Sequence, residues 1–169
     1  MQKKLLAVTL TALVILLAGL AHGRVSSLRV AVDGMACPFC AFGVEKRLKK
    51  VNGVALVTVD MKTGTATVTA RPDASIRYQE VAKAVKDAGF TAGNIKIRVT
   101  GTIDRDSGGN FVLRFAGFSL PLKTDNNDLK AHFNTLAGSG KSIVLNGPLL
   151  PQGKEEWTFA PEVIEEAAP

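Results

Sequence analysis

The chain is 169 residues long, enough for one ordinary domain or two small ones, with 46% hydrophobic residues and a formal charge of +6. Lys3 and Lys4 are the only formally charged residues before Arg24, so two of those positive charges belong to the leader and a mild basic excess remains. That excess suits an acidic protein partner. It gives no footprint for nucleic acid, because no dense basic run is interleaved with aromatics.

Residues 1–23 read as an export signal. Lys3 and Lys4 are the charged start, Leu5–Leu20 is a weakly polar to apolar run, and Ala21-His22-Gly23 supplies small residues at the two sites that a signal peptidase reads. The run falls short of the ~20 residues that span a bilayer, which favours cleavage after Gly23 over a retained anchor and implies no membrane insertion afterwards. The expected location is periplasmic or secreted. There, two free thiols oxidise to each other unless metal or reductant occupies them.

From residue 27 to about residue 100 the periodicity changes in a fixed order. Leu28–Val32 alternates as a half-buried strand. A loop then carries the only two cysteines, Cys37 and Cys40, and leads into a helix with Val44, Leu48 and Val51 on one side and Glu45, Lys46, Arg47, Lys49 and Lys50 on the other. Asn52-Gly53 stops it. Val54–Val59 and Thr65–Ala70 form a hairpin around Asp60–Gly64. Pro72–Ser75 opens a second helix capped by Asp73 or Ser75, with Ile76, Val81, Ala84, Val85 and Ala88 as its apolar stripe and Gly89 as its end. Ile95, Ile97 and Val99 form a last strand. This order is βαββαβ: an antiparallel sheet with both helices on one face.

Two cysteines at this spacing, where a strand gives way to a helix, form a thiolate grip. Free amides and the positive end of the helix dipole favour both anions there. Two soft sulfurs suit ions content with near-linear coordination, namely Cu(I), Hg(II) or Ag(I), whereas zinc wants four ligands. The competing use of the pair is redox, as a thiol–disulfide oxidoreductase; a structural disulfide is a third. Cys37-Pro38-Phe39-Cys40 resembles a glutaredoxin-type site, but a thioredoxin-like fold needs a proline opening a strand opposite the disulfide, and Pro72 is expected to open a helix. His132 lies far along the chain and reads as a surface residue. Gly138–Ser142 lacks the spacing and the following helix of a phosphate loop, and no catalytic triad or paired-carboxylate site is legible, so the chain is not read as an enzyme.

Gly34-Met35-Ala36-Cys37-Pro38-Phe39-Cys40 resembles the Gly-Met-x-Cys-x-x-Cys signature of heavy-metal-associated domains, the ferredoxin-like modules of copper chaperones, metal-pumping ATPases and the periplasmic mercury-binding protein. Asn52-Gly53-Val54 and Asp87-Ala88-Gly89-Phe90 extend the likeness across residues 27–100. The resemblance implies a ferredoxin-like α+β fold, with Cys37 and Cys40 as the metal ligands. It implies transfer of Cu(I) or Hg(II) to a metal-transporting membrane protein or another metal-binding domain. It places Met35 in the core beneath the loop, against the alternative of a thioether ligand, and Phe90 beside the metal as a shield, against simple packing behind Gly89. Zinc- and lead-type pumps carry an Asp where this chain has Ala36.

Residues 101–160 carry no such likeness. Gly101–Asp104 prolongs the preceding strand without a linker, Asn110–Phe115 and Phe118–Leu122 alternate, and Asp125–Asn127 caps a helix bearing Leu129, Phe133 and Leu136. Lys141–Leu145 and Trp157–Phe159 read as further strands. Strand, strand, strand, helix, strand, strand is the order of a small β-rich unit of OB-type barrel. The tail, 161–169, is expected to fray or form a short helix.

Overall fold

A computed structural model describes residues 23–153 and 156–166. Apart from Gly23, the expected leader lies outside these residues. Alternation of apolar and polar side chains draws out β1 (Arg24–Asp33), β2 (Val54–Asp60) and β3 (Thr65–Ala70). Helical spacing of Val44 and Leu48 gives α1 (Pro38–Leu48), and Val81, Ala84 and Val85 give α2 (Tyr78–Asp87). β4 runs from Thr91 to Arg105. The strands pair antiparallel in the order β2-β3-β1-β4. Val30, Val68, Ile95 and Ile97 lie buried with Val44, Leu48, Val81 and Val85 of the helices in one core. This is the α+β, ferredoxin-like βαββαβ arrangement that the sequence order implies.

Two local expectations are corrected. α2 starts at Tyr78, not beside Pro72–Ser75, and its first turn has no side-chain cap. The intervening residues are engaged elsewhere: Ser75 Oγ accepts from Val25 N–H at 3.0 Å, and Ile76 N–H donates to Val25 C=O at 3.2 Å. Bonding to the start of β1 wins over capping, and Pro72 sits in the turn after β3.

The second half grows directly from β4. Ile95–Thr100 pair with β1 on one edge and with β7 (Ser142–Pro151) on the other. Beyond Gly101 the first edge passes from β1 to β5 (Phe111–Phe115), which pairs with β6 (Phe118–Pro121). A Cβ on Gly101 would lie 2.5 Å from Arg114 C=O, so only glycine fits this handover. The boundary expected at 100/101 therefore falls inside a continuous strand. β8 (Trp157–Phe159) pairs with β7, and a parallel bridge from Leu122 to Phe159 joins the β6 end to β8. The strands thus run β4-β5-β6-β8-β7 and back to β4. α3 (Asn127–Leu136), capped by Asn126 Oδ1, brings Phe133 to that core, where it is 0% exposed and meets Phe111 edge-on at 5.5 Å.

The tail is also corrected as far as Glu166; residues 167–169 lie outside the described residues. Val163–Glu166 form β9, antiparallel to β7. Pro161 is buried at the turn between β8 and β9, and backbone bonds from Ala160 to Pro148 and from Glu162 to Asn146 continue the edge. Arg98 of β4 reaches across β7 to Glu165 by two hydrogen bonds, of 2.8 and 2.5 Å, and Lys96 reaches Glu162 at 3.0 Å. Opposite charges on one sheet face reward the extended pairing over fraying. Within the described residues the buried core spans Val25 to Phe159.

Candidate metal centre

β1 ends at Asp33, and Gly34 takes φ = 85°, the left-handed turn that a side chain resists. Ala36 N–H closes that turn on Gly34 C=O at 3.0 Å. Cys37 is extended (φ −138°, ψ 153°) and is the N-cap of α1, with Pro38 in the first turn where its missing N–H costs nothing. Cys40 N–H donates to Cys37 Sγ at 3.1 Å, so sulfur takes the place that a hydroxyl or carboxylate oxygen takes at ordinary helix starts.

The two sulfurs are brought together. Cys37 and Cys40 are joined in a disulfide with their Cα atoms 5.1 Å apart, both half-buried at the mouth of α1. This is the oxidised state of the pair. Two electrons and two protons from a dithiol, itself oxidised to a disulfide, would return two sulfhydryls to the same place. Among the described residues no group of three or more His, Cys, Asp and Glu side chains gathers around a common point, so the sulfurs have no third ligand of those types beside them. His132 is exposed on α3, in the other half of the molecule.

Met35 is 6% exposed and belongs to the core cluster, pointing away from solvent. Phe90 follows α2, where its N–H reaches back to Val85 C=O at 3.2 Å. It is half-buried, packs on the core, and lies 4.0 Å from where a Cβ of Gly34 would stand. That distance is ordinary contact, so it is the left-handed turn, not the ring, that calls for glycine at 34.

Two residues beside the sulfurs were not singled out from sequence. Phe39 is 88% and Phe42 64% exposed, although both are large and apolar. Their signal was helical phase: Val44 and Leu48 define the buried side of α1, and positions 39 and 42 lie off it. Of the basic residues of α1, Lys49 pairs with Glu45 at 2.5 Å. Asp87 of α2 is held below the usual carboxylate range, first by its hydrogen bond from Lys83 and further by Arg47 and Lys86 nearby.

The model of the heavy-metal-associated domain matches residues 29–91. Over 61 residues the chain is 41% identical to the mercuric transport protein periplasmic component of Serratia marcescens, an alignment covering 36% of this chain and 66% of that protein. Over 94 residues it is 30% identical to copper-transporting ATPase 2 of Homo sapiens, covering 55% of this chain and 6% of the ATPase. The chain thus spans about two thirds of the mercuric component and a small fraction of the ATPase. Among solved structures, oxidized MerP from Ralstonia metallidurans CH34 aligns at 37% identity and TM-score 0.36, covering 42% of this chain and 94% of that one. A copper-binding domain from a P-type ATPase aligns at 32% identity and TM-score 0.37, covering 40% and 90%. Through residues 29–91 the chain belongs to the heavy-metal-associated domain family.

Proposed function

We propose that this protein, once reduced, captures Cu(I) or Hg(II) between Cys37 and Cys40 and passes it on by ligand exchange. The carrying observation is that both sulfurs converge at the open N-terminus of α1, in reach of each other and of solvent. Helix-terminal amides favour the thiolates, and two soft ligands satisfy a cation that accepts near-linear coordination. In transfer, a thiolate of the acceptor adds to the two-coordinate metal, a three-coordinate intermediate forms, and Cys37 or Cys40 leaves as the thiolate. No bond of carbon changes and no catalytic group is needed. The acceptor is a metal-transporting membrane protein or another metal-binding domain, and the setting is periplasmic or secreted. Its relatives, a mercuric transport component and a copper-transporting ATPase, support this cargo and this class of acceptor.

The test is a chelator-competition titration of the reduced protein with Cu(I) and with Hg(II). Tight one-to-one binding is expected, lost in a Cys37→Ser/Cys40→Ser double variant. Equal affinity in that variant would end the proposal. The disulfide supports a second reading, a thiol–disulfide oxidoreductase acting through the same pair. It predicts turnover in an insulin-reduction assay, which the metal-transfer reading does not. For the second half, closure of the strand ring through Leu122 and Phe159 supports the OB-type barrel expected from its element order.

A further inference from the structure

The exposed side of α1 carries Phe39, Phe42, Lys46 and Lys49, which at 100° per residue fall within roughly 80° of the helix circumference. The stripe is aromatic beside the sulfurs and basic farther along, where Lys49 shares its charge with Glu45, and Lys46, Arg47 and Lys50 supply the rest of the basic end. Val44 and Leu48 hold the opposite side in the core, so the stripe cannot turn inward. Met61 is a further exposed apolar side chain. It lies in the β2–β3 turn, tied to the sulfur end of β1 by the hydrogen bond from Val32 N–H to Gly64 C=O, at 2.7 Å, with Lys62 next to it. Asp60, the carboxylate of that turn, is occupied by the backbone N–H groups of Lys62 and Thr63.

From this juxtaposition we infer that α1 seats the protein peripherally on an anionic lipid surface, with Phe39 and Phe42 entering the headgroup layer and the lysines meeting lipid phosphates. Charge complementarity identifies the occupant: apolar projections backed by a cluster of cations match a fluid, negatively charged interface. The shape agrees, because the two rings stand out into solvent singly, and a deformable surface accepts projections that a preformed protein pocket must match one by one. Seated this way, the thiol pair lies against the plane in which a membrane-bound acceptor opens. The inference rests on the proposed function only for that last consequence; binding to lipid itself requires no metal.

The test uses the chain from residue 23 onward, which contains the whole described core, in sedimentation with vesicles of phosphatidylglycerol and phosphatidylcholine and with vesicles of phosphatidylcholine alone. Partition onto the anionic vesicles is expected, weakening with added salt. Phe39→Ser/Phe42→Ser and, separately, Lys46→Glu/Lys49→Glu should each lower it about tenfold. Both sets of side chains are exposed, and an unchanged melting temperature shows that the fold is kept. Cys37→Ser/Cys40→Ser should partition as the unsubstituted chain does, so failure of metal binding and failure of lipid binding read out separately. Equal partition onto neutral vesicles, no partition at all, or partition indifferent to both stripe variants overturns the inference. Retention on an acidic protein with none on lipid also overturns it and reassigns the stripe to a protein partner.

Discussion

Replacing Phe133 by Ala tests whether the two halves stand or fall together. Phe133 is fully buried in the second half and stacks edge-on with Phe111. Losing most of an aromatic side chain and leaving a cavity costs about 3–5 kcal/mol. For a chain of this size each kcal/mol lowers the melting temperature by about 2–4 °C, so a drop of roughly 6–20 °C is expected. The structure adds where that loss is felt. Ile95–Thr100 of β4 are hydrogen-bonded to β1 of the metal-binding half and to β7 of the other half at once. Unfolding the second half would strip β4 of one neighbour along that stretch and expose Val99 and Ile97. Trp157 packs edge-on against Tyr78 of α2 and so responds to either half; amide exchange in urea reads β5 and β6 for the second half, and β1 and β3 for the first. Both should shift by the same free energy in Phe133→Ala. A first half that keeps its unsubstituted stability while β5 and β6 exchange early would refute the single-unit reasoning.

Met35→Ala should lower stability by about 2–4 kcal/mol, while Met35→Leu costs less than about 1.5 kcal/mol and keeps metal affinity unchanged; a large loss of affinity in Met35→Leu would instead make the thioether a ligand. Acid should destabilise the fold in a specific way. Glu165 is held below its ordinary range by the hydrogen bonds from Arg98, and Asp104 by the Arg105 N–H and then by the Arg114 guanidinium. A carboxyl depressed in the folded state contributes stability above its unfolded pKa and loses it as pH falls through the folded value, so urea midpoints should be flat above about pH 5 and decline below about pH 4. Glu165→Gln should make that decline shallower; an unchanged slope would count against the Arg98–Glu165 pair.

Much of the metal-binding half is legible because its signals are local and consistent. Alternation marks β1 to β3, Val44 and Leu48 mark the core side of α1, and the cysteine pair sits where strand pattern meets helix pattern. Pro72–Ser75 misleads for a tertiary reason: Ser75 is a good cap by type, yet Val25 N–H, fifty residues away, claims its hydroxyl. The tail misleads likewise. Glu162–Glu166 is poor in strand formers apart from Val163 and Ile164, and what lays it flat, the β7 ladder and the cations Lys96 and Arg98, comes from distant strands. The exposure of Phe39 and Phe42 is a matter of helix phase, readable in principle, but an aromatic beside a cysteine invites assignment to the core. The closure of β6 onto β8 rests on pairing between residues far apart in the chain, which no short window of sequence contains.

The pairing of β7 along β4 also decides how the protein behaves in company. A ferredoxin-like sheet standing alone would offer β4 as a long open border to any passing strand. Here that border is sealed from within, and the outermost strand on that side is short, preceded by Pro161 and Glu162 and carrying Glu165 within it. The opposite border, β2, is kinked by the register shift between Val54 and Leu56. Neither margin is a straight template, so crowding in a concentrated compartment should leave the molecules separate and not stitched into ribbons.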